Sequence, residues 1–175
     1  MLYRTKRMLR WLTAFVVIVG LAAGIVFYIA RNAFPGAGLL KHADRTEVFR
    51  VATRALRASP VPHINGYPIL KTGAEQGPEF TRRLTQVLLS SGMTRNETKC
   101  PLEPRIAFRI WSGTQSVDVL VGFDCNLLWP HVVGEPLSES PKDDWKSFDA
   151  TAASNLRQLS QEVFPNDRDL KVRED

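Results

Sequence analysis

Three sets of residues carry side chains that could do chemistry. Cys100 and Cys125 can form a bridge or supply a thiolate, Glu103, Asp118 and Asp124 can form an acidic site, and His42, His63 and His131 can act as bases or ligands. Most of them fall in or beside one stretch: Arg105 to Trp111, then Ser112-Gly113-Thr114-Gln115, then Ser116 to Cys125, which reads as a β-hairpin. With Ser112 facing Gln115, Ile110 meets Val117, Phe108 meets Val119 and Ile106 meets Val121, so one face is continuously apolar. The other face then sets Arg109 directly across from Asp118. An opposite-charge pair of that kind contributes ~0.2 to 1 kcal/mol, so both residues read as cross-strand partners rather than as catalytic groups.

The same register puts Cys125 opposite Leu102, with Cys100 two residues further along its strand. A bend at Pro101 would bring the two Cα atoms within the ~7 Å that a disulfide requires, and the closed loop would stabilise the fold by about 3 kcal/mol. The competing reading, a reactive or metal-binding thiol at Cys125, needs a base or co-ligands, and the three histidines show no paired spacing. No G-x-S-x-G, H-E-x-x-H, Walker A or EF-hand pattern occurs. Gly36-Ala37-Gly38-Leu39-Leu40-Lys41 starts like a phosphate loop, but its third glycine is missing and no strand precedes it. No metal site and no cofactor are therefore expected.

The elements that must position these residues follow from length, charge and periodicity. With 175 residues, 44% apolar and 23% charged, the chain has material for one core, and two cysteines are too few for a disulfide-built scaffold. The net charge of +5 is concentrated: Arg4, Lys6, Arg7 and Arg10 precede residue 11, and the remaining basic residues nearly balance the 18 acidic ones. No nucleic-acid partner is expected from such a balance.

Residues 12 to 30 carry no charge over nineteen positions, which as a helix would cover a bilayer's apolar thickness. The small-residue triplet Ala22-Ala23-Gly24 lies inside the apolar run, and Arg31 and Asn32 follow it, so an uncleaved signal anchor is expected instead of a cleaved signal peptide. The four basic residues before it predict a cytoplasmic N-terminus at 1–11 and place the rest of the chain outside the plasma (inner) membrane. Gly20 and Gly24 form a G-x-x-x-G, a spacing that would pack one such helix against another and form a homodimer.

Beyond it, residues 31–43 read as a juxtamembrane linker, 44–165 as an exported domain and 166–175, with seven charges, as a frayed tail. Three helices are expected. The first runs from Asp44, a cap completed by Glu47, to Ala58 with Val48, Val51, Ala52, Ala55 and Leu56 as its stripe and Arg50, Arg54 and Arg57 solvated. Pro78 to Ser91 and Asp149 to Phe164 are the others, ended by Gly92 and Pro165. Asn65-Gly66 marks a turn before a short edge-type strand at 67–70. The fold class expected is α+β: an N-terminal transmembrane helix followed by a small antiparallel sheet, containing the 105–125 hairpin, packed with about three helices.

Lys99-Cys100-Pro101-Leu102-Glu103-Pro104-Arg105, together with Val119-Leu120-Val121-Gly122-Phe123-Asp124-Cys125-Asn126, resembles a group of small bacterial exported or membrane-anchored proteins of unassigned function. In that group the second strand more often ends C-F-x-C, and Gly122 stands here at the first cysteine's place. The resemblance implies a domain type and no activity. The expected function is a non-catalytic binding or interaction domain with an envelope protein partner, meeting it through the loop from Pro136 to an exposed Trp145. The alternative is an envelope hydrolase or thiol-redox enzyme using Cys125 or the Glu103, Asp118 and Asp124 cluster.

Overall fold

A computed structural model describes Val19 and residues 34–55, 60–90, 94–95, 100–137 and 144–170. The chain divides into two compact units, Met1–Ala33 and Phe34–Asp175. In the first, Val19 is helical and half-exposed.

The second unit is dominated by β structure. Its strands are β1 (Arg45–Val51), β2 (His63–Ile64), β3 (Tyr67–Thr72), β4 (Thr94–Arg95), β5 (Ile106–Ser112), β6 (Gln115–Gly122), β7 (Leu127–Val132) and β8 (Lys146–Ser147). They form one sheet in the order β2-β3-β1-β5-β6-β7-β8-β4, with every paired neighbour antiparallel. The helices are α1 (Ala37–Leu40), α2 (Pro78–Ser90) and α3 (Ala150–Val163), and a 3₁₀ turn spans Arg168–Leu170. Two tight turns fix the hairpin registers. Asn65 and Gly66 both hold positive φ (48° and 84°) between β2 and β3, the conformation a two-residue Asn-Gly turn supplies. Gly113, φ 61°, takes the first central position between β5 and β6, and the pairing Ser112 to Gln115 continues through Arg109 to Asp118 and Ile106 to Val121.

Alternation along the strands builds two packed faces. On the first, Val48, Ile106, Phe108, Ile110, Val117, Val119, Val121 and Leu128 meet Phe80, Leu84 and Leu88 of α2 and Ala152, Ala153, Leu156 and Leu159 of α3. Each fully buried leucine or phenylalanine there contributes ~1.5 to 3 kcal/mol. Asp149 caps α3, its side chain accepting from the Ala152 N–H at 2.7 Å. Thr81 donates to the Gly77 carbonyl (3.1 Å), so the buried 2.9 Å contact between Thr46 Oγ1 and Thr81 Oγ1 uses the Thr46 hydrogen and ties β1 to α2. On the second face, Phe49, Val51, Tyr67, Ala107, Leu120, Leu127 and Trp129 pack with Ile64, Leu102 and Trp145.

Several expectations are corrected. The segment from Asp44 is strand β1, not a helix. Its Thr46 and Val48 face the helices and its Phe49 and Val51 the opposite cluster, and β3 and β5 pair with it on either side. A run of β-branched and aromatic residues with both periods present is resolved by those neighbours, because a strand buried on both faces satisfies every backbone group and every apolar side chain at once. The unit is consequently richer in strand than the α+β class with a small sheet anticipates, and it has two long helices instead of three. Of the expected linker and tail, the described residues 34–43 and 166–170 are part of it: Leu40 is 2% and Leu170 0% exposed. Trp145 is 7% exposed and belongs to the second apolar cluster, so it is no exposed contact residue.

The membrane assignment is also corrected. Among the described residues no helix is long and apolar enough to cross a membrane, and this leaves the transmembrane signal anchor, the single-pass inner-membrane location and the extracytoplasmic domain without a structural counterpart. Residues 12–30, Val19 excepted, lie outside the described residues, as do Gly20 and Gly24.

Candidate functional site

The second face of the sheet carries the densest group of polar and aromatic side chains. The registers place Glu47, Arg109, Asp118 and His131 in one row across β1, β5, β6 and β7. Asp118 is only 1% exposed. Its carboxylate is gripped by Arg109, Nε to Oδ1 at 2.7 Å and Nη2 to Oδ2 at 2.9 Å, and hydrogen bonding to Asp118, followed by the attraction of its charge, holds the Arg109 pKa above its ordinary value against the opposing effect of burial. Glu47 accepts from the Trp111 indole N–H at 3.1 Å. The Arg109 guanidinium lies 6.0 Å from the Phe49 ring centre and that of Arg45 4.7 Å from the Trp111 ring. His131 sits beside Trp129, ring centres 6.4 Å apart.

The arrangement favours holding over reacting. A carboxylate with each oxygen held by one arm of a guanidinium fork is geometrically specified, and at 1% exposure it is out of a substrate's reach. The row therefore works as a charged tie across the two central strands, at the one level of β6 where an otherwise apolar strand buries a charge.

The other residues singled out from sequence are separated. Cys100 and Cys125 are joined in a disulfide with Cα atoms 6.3 Å apart, both partly buried against the second-face cluster, so neither presents a thiol in this state. Glu103 is exposed. Asp124 accepts from Arg105 Nη2 at 3.1 Å, well along β6 and the following turn from Asp118, so the three acidic residues do not converge. Among the described residues no group of three His, Cys, Asp and Glu is placed to hold a metal ion. Gly122 has a packing role: a Cβ there would stand 3.0 Å from Leu102 Cδ1 and 3.1 Å from the Glu103 carbonyl oxygen.

Two further features were not legible from the sequence. The first is a charged cluster linking Arg50 and Arg105 to Asp124, Asp167 and Asp169, where the sequence pattern places Arg50 on a solvated helix face. The second is a groove of about 360 Å³ between α2 and α3, lined by Arg83, Gln86, Val87, Ser90, Asn155, Gln158 and Leu159. Arg83 forks onto Glu162 at 2.9 and 2.6 Å, and these hydrogen bonds, with a lesser part from the attraction between the charges, hold the Glu162 carboxyl below its ordinary pKa against the opposing effect of burial. Positions 83, 86, 87 and 90 of α2 and 155, 158, 159 and 162 of α3 share a face by helical spacing, but nothing in the local sequence tells that these two faces adjoin. No family model, no curated protein and no solved structure matches the chain.

Proposed function

We propose that the unit from Phe34 is a non-catalytic binding domain that engages a partner segment along the α2–α3 groove. The observation that carries this reading is the groove's lining. Three carboxamides (Gln86, Asn155, Gln158) and the Ser90 hydroxyl surround Val87 and Leu159, and the flanking charges cancel in the Arg83–Glu162 fork. Carboxamides both donate and accept, so the groove matches a neutral, hydrogen-bonding chain such as an extended peptide backbone with small apolar side chains. Of the acidic and thiol groups that would serve catalysis, Asp118 is held by Arg109, Asp124 by Arg105 and Cys125 by Cys100, which leaves Glu103 apart from them in solvent.

Photo-crosslinking from position 86 and from position 158 of the full chain tests the reading. One partner is expected at both positions and absent from position 75, in the segment before α2 where Glu75 contacts Arg45. The purified partner is then expected to bind wild type at least about fivefold more tightly than a Gln86→Ala/Gln158→Ala variant, as for a contact near the energetic centre of an interface. Equal affinities would overturn it.

A further inference from the structure

The C-terminal end of the unit is attached in an unusual way. After α3, Phe164 and Pro165 turn the chain, and Asp167-Arg168-Asp169-Leu170 returns to Arg50 near the C-terminal end of β1. Arg50 Nε donates to Asp167 Oδ2 at 2.6 Å and Nη2 to Asp169 Oδ2 at 2.8 Å. Arg105 Nη1 lies 3.5 Å from the same Asp169 oxygen. Leu170 is fully buried in the first-face core, and its carbonyl accepts from Gln161 Nε2 at 2.6 Å.

Two properties of this contact separate it from ordinary tertiary packing. The first concerns the site. The Arg50 side chain is 13% exposed and its third nitrogen, Nη1, donates to the Arg105 carbonyl at 2.8 Å. Arg105 is itself held by the sheet, its N–H donating to the Val121 carbonyl at 3.0 Å, with its side chain on Asp124. The sheet therefore holds one of the three Arg50 nitrogens independently of the segment, and a fork partly oriented in advance recognises carboxylates at reduced entropic cost. The second concerns the occupant. Its backbone N–H groups bond within the turn: Asp167 N–H to the Phe164 carbonyl (3.1 Å), Leu170 N–H to the Asp167 carbonyl (3.4 Å) and Asp169 N–H to Asp167 Oδ1 (3.0 Å). No strand ladder fastens it. Two carboxylates, one leucine and one glutamine contact hold it, and a cavity of about 410 Å³ lined by Lys71 and residues 164–169 opens beside it. The Lys71 ammonium sits 5.5 Å from the Phe164 ring centre, with no carboxylate within salt-bridge distance among the described residues.

We propose that Arg50 and Arg105 form a docking site for an acidic protein segment with two carboxylates two residues apart followed by an apolar residue, occupied here in cis by Asp167–Leu170 as an exchangeable latch. The chemistry of the partner is read from the occupant itself: Asp-x-Asp-Leu places both carboxylates on the arginines and the leucine in the core. The site is independent of the α2–α3 groove, and either can fail without the other.

The test uses the full chain with Asp167→Asn/Asp169→Asn, which neutralises the latch, and a fluorescein-labelled Asn-Asp-Arg-Asp-Leu peptide followed by anisotropy. The variant is expected to bind the peptide saturably and at least about tenfold more tightly than wild type, with affinity falling as salt rises. Adding Arg50→Gln is expected to abolish binding, as is replacing both aspartates of the peptide by asparagine. No saturable binding, or binding indifferent to Arg50→Gln, overturns the proposal; so does equal displacement by inorganic phosphate at matched concentration, which would mean a general anion contact. Hydrogen exchange on wild type guards against a variant that fails to fold. The amides of residues 167–170 are expected to exchange faster than those at the centre of α3 and faster still in high salt; exchange at the rate of α3 would show that the latch opens only with global unfolding and would also overturn the proposal.

Discussion

The two faces of the sheet bury comparable rows of side chains by different means. The helix-covered face is built from Val, Ile, Leu and Phe whose positions follow from period-2 strands meeting period-3.6 helices. Among the described residues the opposite face packs with Ile64, Leu102 and Trp145, and it combines Phe49, Tyr67, Trp129 and Trp145 with an Arg109–Asp118 fork and a disulfide at its margin. It also buries the Trp145 indole N–H, which has no hydrogen-bond partner among the described residues. Where helices seal a face, apolar area suffices; where loops must do so, cross-links and fixed charge pairs supplement it.

The comparison is most sharply broken by truncation at the sealed face. Phe108, 0% exposed between the helices, is expected to cost ~3 to 5 kcal/mol on replacement by alanine, measured by urea unfolding; a loss smaller than that of Ala107→Gly on the other side of the same strand would reverse the assignment of the main core. Next, Cys100→Ser and Cys125→Ser are each expected to cost about 3 kcal/mol, and the double variant no more than either single one. Additive losses would mean that the cysteines act by packing instead of by their bond. Asp118→Ala leaves the partly buried Arg109 without its partner and is expected to cost about 2 to 3 kcal/mol, much of it recovered by the double change Asp118→Ala/Arg109→Met. Failure of that rescue would give the row a role beyond tying the strands.

The smallest effect is a pH dependence on the helix side. Glu162 has a folded pKa below its ordinary value of 4.5, so near and below that pH the unfolded chain binds the proton more readily. The contribution of its pair with Arg83 is present above pH 4.5 and is lost as pH falls through the lower, folded value. With both side chains more than a third exposed, solvent screening limits it to well under ~1 kcal/mol. Unfolding curves of wild type and Glu162→Gln are expected to converge on acidification; a gap that widens would contradict the sign.

Legibility differed between local and assembled features. The β5–β6 register could be read because two independent faces had to agree: a one-residue slip would have separated Arg109 from Asp118 and turned Ile106, Phe108 and Ile110 away from Val117, Val119 and Val121. The boundaries of α2 and α3 could be read from Pro78, Asp149 and Pro165, whose backbone chemistry is local. Strand β1 could not, because its residues satisfy a helical stripe and a two-sided strand equally well, and only the presence of β3 and β5 on its flanks selects between them. The acidic residues Glu103, Asp118 and Asp124 could be nominated together by sequence proximity, but the extended backbone of β6 and its turn carries Asp124 to Arg105 and leaves Glu103 in solvent.

What the sequence by itself determined is therefore the hairpin, its charge pair, the two long helices and the geometric opportunity for the Cys100–Cys125 bond, all of which depend on spacing within a short span. The tertiary structure alone decided that Arg50 is an oriented fork and not a solvated cation, that Asp167 and Asp169 are its occupants more than a hundred residues away, that Trp145 is interior, and that two polar helix faces adjoin as a groove. Each depends on which elements pack side by side, a choice made by burial summed over the whole core and invisible to any local window.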